Sequence, residues 1–388
     1  MKKSIVTVLS IVFLGSVAMM PNKEENASED LNIDIQSYTD SLRSIYSRPS
    51  AQWPAPDIDS GAKFEELAVL PAGPIPFRVP DSLIGKVNLG HTLFFDPRLS
   101  GSGQIACASC HVPDLAWSDG RERSWGHDLQ VNNRNAQSLL NIWYFKTLFW
   151  DGRSHSLEDQ AFGPINNPME MNSTMPDAVE KIRSIKGYDS LFVAAFGKGA
   201  EINPETLTEA LATFERTIVS RKSDFDKFLL GDTGILSDAA VRGLHLFRTK
   251  ARCINCHNGP LLTDQQFHNL GLTYYGREYE DLGRYMITKK AEDVGKFRTP
   301  SLRDVMKTGP WMHNGLFGNM DGILNMYNVG MPSVTPKEHQ KNDPLFPKKD
   351  ALLKPLQLTK QDKLDLIAFL ESISEITTKV RAPKYMPK

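Results

Sequence analysis

Cys107-Ala108-Ser109-Cys110-His111 places two thiols three residues apart with a histidine directly after them, and Cys253-Ile254-Asn255-Cys256-His257 repeats the arrangement in the second half of the chain. This is the pattern for covalent attachment of a c-type haem, in which both sulfurs bond the porphyrin and the imidazole binds the iron. The two copies use all four cysteines of the protein. A structural zinc site or a pair of redox disulfides would also use two Cys-x-x-Cys units. Zinc has no need of a histidine after both pairs, and a thioredoxin-like motif expects a βαβ setting that the sequence lacks.

Outward from these motifs the chain repeats weakly. Gly90-His91-Thr92-Leu93-Phe94 precedes the first motif and Gly243-Leu244-His245-Leu246-Phe247 the second; Ser118-Asp119 follows His111 much as Thr263-Asp264 follows His257. Helix signals dominate. One helix is expected to start after Asp81 or Ser82, and another after Ser156, whose Ser156-Leu157-Glu158-Asp159 resembles a capping box. Asn203 with Pro204 opens a third, carrying Leu207, Leu211, Phe214 and Ile218 at helical spacing, and Thr359-Lys360-Gln361-Asp362 opens a last one. No strand-rich region emerges. The fold expected is mainly α, with two cytochrome-c-like domains of one covalent haem each, spanning residues 65–225 and 226–388.

Ahead of them, residues 1–20 read as an export signal: Lys2 and Lys3, then a mostly apolar run from Ile5 to Met19 that is short for a membrane span. An uncleaved anchor is the competing reading. Residues 21–33 are polar and acidic and read as a tether. Asp34–Arg48 is compatible with a short helix, and the proline-punctuated run 49–80 reads as an extended wrap anchored by Trp53. Residues 21–64 together form this tether and extended segment. With 40% hydrophobic residues, a net charge of −1 and a pI near 6.8, nothing marks a nucleic-acid-binding surface. Export fits the haem reading and predicts a periplasmic protein.

Two haems make either an electron carrier or an enzyme. A carrier closes both irons with two protein ligands each, whereas a peroxidase needs one iron open and groups beside it that move protons. Here a wider set of residues matters: Leu93-Phe94-Phe95-Asp96-Pro97-Arg98-Leu99-Ser100, Arg134-Asn135-Ala136, Phe149-Trp150-Asp151-Gly152-Arg153, Leu157-Glu158-Asp159-Gln160-Ala161, Asn167-Pro168-Met169-Glu170-Met171, Phe297-Arg298-Thr299-Pro300-Ser301-Leu302-Arg303 and Pro310-Trp311-Met312-His313-Asn314-Gly315. In order and spacing these resemble the bacterial dihaem cytochrome c peroxidases and MauG-like enzymes over roughly residues 65–375.

The resemblance implies a peroxidatic haem at Cys107, Cys110 and His111 and an electron-accepting haem at Cys253, Cys256 and His257. It makes Trp150 the bridge between haems, Glu170 the distal acid that shuttles a proton between the peroxide oxygens, and Gln160 a distal amide, with Pro164 shaping the pocket. His127 falls where classical peroxidases keep a removable sixth ligand and MauG-like enzymes often have none. Tyr327, fourteen residues after His313, falls at the sixth ligand of the second haem, which is methionine in the former and tyrosine in the latter. Met326 and Met331 lie near enough in sequence to stand in for it. His313 takes a hydrogen-bonding role, and an interdomain Ca²⁺ falls to Asn135, Thr308 and Pro310. The function implied is reduction of hydrogen peroxide to water with electrons from a small redox protein, a cytochrome c or a cupredoxin. MauG-like oxidation of a protein or small molecule and a non-enzymatic electron carrier are the alternatives. Oligomeric state is left open, a homodimer included.

Overall fold

The computed structural model describes residues 23–375 and 380–388. The apolar run of residues 1–20 lies outside them, and none of the described helices is long and apolar enough to cross a membrane. Helices follow in the order α1 (Lys23–Tyr46), α2 (Asp81–Phe94), α3 (Leu157–Asn166), α4 (Met175–Arg183), α5 (Gly187–Phe196), α6 (Pro204–Glu215), α7 (Asp224–Leu229), α8 (Asp238–Arg248), α9 (Tyr285–Thr288), α10 (Met320–Asn328) and α11 (Lys360–Ser372). One small antiparallel pair, β1 (Phe267–His268) with β2 (Phe297–Arg298), interrupts them. The caps read from sequence close these helices: Ser156 Oγ accepts from Asp159 N, Asn203 Oδ1 from Thr206 N and Thr359 Oγ1 from Asp362 N.

One expectation is corrected at the N-terminus. Part of the stretch expected to be a tether is helical, because α1 begins at Lys23. Lys, Glu, Ala and Leu dominate its first turns, and their helix propensity outweighs the low apolar content that suggested an unstructured segment.

Residues 42–388 form one compact unit with two apolar cores. The first gathers residues from Leu89 to Ile218 and the second residues from Phe225 to Ile373, together with Leu42, Tyr46, Trp53 and Leu67. Trp53 is buried, and its indole N–H donates to the carbonyls of Tyr46 and Arg48.

Each core is built on a helix crossing with a glycine at its centre. A Cβ on Gly90 of α2 would lie 1.9 Å from the Ala210 carbonyl oxygen and 2.8 Å from Phe214 Cβ of α6; on Gly243 of α8 it would lie 2.0 Å from the Asp365 carbonyl oxygen and 2.8 Å from Phe369 Cβ of α11. The rings match too, with Phe94–Phe214 centroids at 5.3 Å and Phe247–Phe369 at 5.1 Å. The weak sequence repeat is therefore a repeated helix pair, in which Phe214 corresponds to Phe369. In an ordinary helix interior Gly→Ala stabilises by roughly 0.5–1 kcal/mol. Here the sign reverses: Gly243→Ala should cost about 1–3 kcal/mol as α8 and α11 are forced apart, read as a lower thermal midpoint at unchanged haem content.

The chain ends on the first core. His91 Nε2 lies 2.9 Å from the Arg381 carbonyl oxygen, Arg98 Nη1 donates to the Pro387 carbonyl at 3.0 Å and Gly187 N to that of Lys388 at 2.9 Å. Val380 packs against the same core.

Candidate haem sites and the cavity between them

Cys107–Ser109 and Cys253–Asn255 each form one 3₁₀ turn. The Cys107 carbonyl accepts from Cys110 N at 3.2 Å and His111 N at 3.0 Å, and the Cys253 carbonyl from Cys256 N at 3.2 Å and His257 N at 2.9 Å. The second turn brings both cysteines and the histidine of its motif to one cavity. His111 Nδ1 then lies 3.0 Å from the Trp117 carbonyl oxygen and His257 Nδ1 3.1 Å from that of Leu262. A carbonyl only accepts, so Nδ1 carries the proton and Nε2 presents its lone pair, as an iron ligand requires. Burial, outweighing these hydrogen bonds, holds both imidazoles below the usual range and so neutral. Asp119 Oδ1 accepts from Arg121 N at 3.0 Å and Asp264 Oδ1 from Gln266 N at 2.9 Å, so the repeat extends past the histidines.

A single zinc site shared by the two Cys-x-x-Cys pairs loses its geometry. All four thiols are free, and Cys107 packs on the first core while Cys253 packs on the second. Two separate Cys-x-x-Cys-His units remain, each with its own histidine.

Around the first unit the structure brings Glu170 and His127 together. His127 N donates to the Glu170 carbonyl at 2.8 Å, and a Cβ on Gly126 would fall 2.0 Å from the Met169 carbonyl oxygen, so only glycine lets the two loops approach. Asn167 Nδ2 donates to Glu170 Oε1 at 2.9 Å. The Glu170 carboxylate is near enough to act electrostatically on Cys107, Cys110 and His111. Gln160 is half-buried on α3, and the Pro164 carbonyl of that helix accepts from Met171 N at 3.2 Å, joining α3 to the Glu170 loop. His127 Nε2 lies 3.2 Å from Asp128 Oδ2, and its buried Nδ1 has no partner.

A cavity of about 260 Å³ opens on Cys253, Cys256 and His257 and runs to Trp150 and Asn135 of the first half. Trp150 Nε1 donates to the Asn135 carbonyl at 3.0 Å, its own carbonyl accepts from Arg298 N at 2.8 Å, and its ring meets His313 edge-on at 6.4 Å. His313 stacks on Phe297 at 3.6 Å, and burial lowers it to about 4. Tyr327 lines the cavity, and burial together with the thiols of Cys256 and Cys253 raises its phenol. Met326 and Met331 do not line it, whereas Met312 and Met320 do. Asn135, Thr308 and Pro310 border the same cavity. The Asn135 amide nitrogen is spent on the carbonyls of Arg121 and Glu122, which leaves Oδ1 as its acceptor.

The cavity fits haem in its electrostatics as well as its thiols. Arg298 is buried, donates Nε to the Phe149 carbonyl and Nη2 to Gln137 Oε1, and has no partner for Nη1. Burial alone pulls this guanidinium down to about 9. A buried cation with no counter-charge is costly, and a haem carboxylate is an anion that Arg298 would be suited to pair with. His313 Nε2 is likewise buried without a partner.

The sequence reading did not find the role of Arg298, hidden inside a quoted motif, nor that of His268. Burial opposes a charge on His268, but hydrogen bonds from Nε2 to Asp264 Oδ2 at 2.9 Å and from Nδ1 to Asp350 Oδ2 at 2.6 Å outweigh it and hold the imidazole well above its usual range. The four-residue spacing of Asp264 and His268 was the available signal.

A family model described as di-haem cytochrome c peroxidase matches residues 85–234. The chain is 38% identical over 338 residues to the cytochrome-c peroxidase IdrP1 of Pseudomonas sp. strain SCT, covering 79% of this chain and 85% of that protein. It is 38% identical over 337 residues to the methylamine utilization protein MauG of Methylorubrum extorquens, covering 83% and 89%. A solved MauG-like protein associated with microbial copper homeostasis superposes with a TM-score of 0.68 at 31% identity, covering 80% of this chain and 95% of that one.

Proposed function

Because the chain belongs to the di-haem cytochrome c peroxidase family, we propose that it reduces hydrogen peroxide to water at the His111 haem with electrons that enter from a small redox protein at the His257 haem. The observation that carries this reading is the Glu170 carboxylate, held by Asn167 within electrostatic reach of Cys107, Cys110 and His111.

Bound haem supplies an iron that takes peroxide and the electrons that split it. The chain's own residues do the rest. His111 and His257 would hold the irons through Nε2, since the carbonyls of Trp117 and Leu262 fix their rings through Nδ1. Glu170 accepts the proton of the inner peroxide oxygen and returns it to the outer one, which then leaves as water. Asn167 keeps that carboxylate oriented, and Gln160 on α3 offers an amide to the bound peroxide. His127, tied by its backbone to Glu170, would be the group that closes or frees the site. Trp150 lies against the second cavity and couples the two halves. Asn135 Oδ1 with the carbonyls of Thr308 and Pro310 forms the oxygen set of a Ca²⁺ site. An exported, periplasmic location accords with the N-terminal apolar run and with covalent haem.

Tyr327 favours a second reading. A phenolate on the second iron lowers its potential and suits MauG-like oxidation of a protein or small molecule more than rapid uptake of electrons. Steady-state peroxide consumption with a reduced cytochrome c or cupredoxin separates the readings. Fast turnover is the expected result. Slow consumption coupled to oxidation of an added protein or small molecule would establish the second reading, and no peroxide reaction would leave an electron carrier.

A further inference from the structure

α6 ends on Glu215, a buried carboxylic acid inside the first core for which the mechanism above has no use. Its place follows from the repeated helix pair. Phe214 of α6 corresponds to Phe369 of α11, so Glu215 corresponds to Leu370, and Leu370 lines the cavity of Cys253, Cys256 and His257. Glu215 thus faces the first haem's site as Leu370 faces the second. An independent sign agrees: after burial, Glu215 is the largest electrostatic influence on the Cys107 thiol. Among the described residues no side chain donates a hydrogen bond to the Glu215 carboxyl.

The groups around it are few. Arg216 follows it as the C-cap of α6 and pairs with Glu158 of α3 at 2.7 Å, each about a third exposed at 31% and 34%. α2 contributes His91, whose ring lies 5.2 Å from Phe214, and Glu170 shares its influence on Cys107. Burial pushes the Glu215 carboxyl up to about 8; Arg216 draws it back and Glu158 pushes it further.

We propose that Glu215 is a proton site coupled to the redox state of the N-terminal haem. When that iron goes from ferric to ferrous with one electron from a one-electron donor, the Glu215 carboxylate takes one proton from solvent and becomes the neutral acid; on oxidation the electron and the proton leave together. The added electron puts negative charge beside a carboxylate in a poorly solvated site, and the proton removes the repulsion. The second half has leucine at this position and lacks the coupling. The sign is fixed: a deprotonated carboxylate favours ferric iron, so the midpoint potential of the first haem falls as pH rises through the Glu215 titration.

The inference rests on haem attachment at Cys107, Cys110 and His111 and not on the reaction that haem performs. The test is spectroelectrochemical titration of the intact dihaem protein between about pH 6 and pH 10. The native N-terminal haem should show a pH-dependent fall in potential centred near the Glu215 titration. Glu215→Gln, which mimics the neutral acid, should lose that step and stay at the high-potential level, and Glu215→Leu, copied from the second half, should do the same. A native haem with no step, or a step that survives in either variant, overturns the proposal. Haem absent from Cys107 and Cys110 would instead overturn the site reading on which it rests.

Discussion

Glu170→Gln should lower peroxide turnover by about 100- to 10,000-fold, the range for losing a positioned acid–base group, while the protein keeps both haems. Glutamine retains the shape of the side chain and can keep an oxygen toward Asn167 Nδ2, which now donates to Glu170 Oε1 at 2.9 Å. What it cannot do is accept a proton from one peroxide oxygen and deliver it to the other. The backbone is unaffected, since His127 N bonds to the residue 170 carbonyl and not to its side chain. Pyridine-haemochrome absorption should therefore be native, and loss should appear in kcat. Turnover within a factor of three of native would move the acid to another residue.

The second large effect is on composition and supply. Cys253→Ala combined with Cys256→Ala should leave one covalent haem per chain instead of two and should reduce steady-state turnover with a protein electron donor to background. Cys107 packs on a separate core, so the first haem should still attach. Near-native turnover by a one-haem protein would show that electrons reach the first site without the second.

Much of this architecture is legible in sequence because it rests on local chemistry. A capping side chain at Ser156, Asn203 or Thr359 acts on an amide three residues away, and the spacing Cys-x-x-Cys-His places three ligating groups within one turn. Gly90 and Gly243 were visible as a repeat, though not as the contact points of crossing helices, since what forbids a side chain there is a carbonyl more than a hundred residues distant. Nothing in the sequence singled out the roles of Arg298 and Glu215, for the same reason. Their meaning lies in being buried without a counter-charge or a donor, and burial is decided by remote helices. At α1 the error ran the other way: apolar content suggested no structure where backbone propensity was enough.

The strap formed by residues 380–388 bears on how the protein is made. It closes the half of the molecule that the ribosome delivers first, using contacts with a sequence separation near 290 residues at His91 and Arg98. Contacts that distant form late, because the loop they close is long. The first half thus gains these contacts only after the intervening chain has folded.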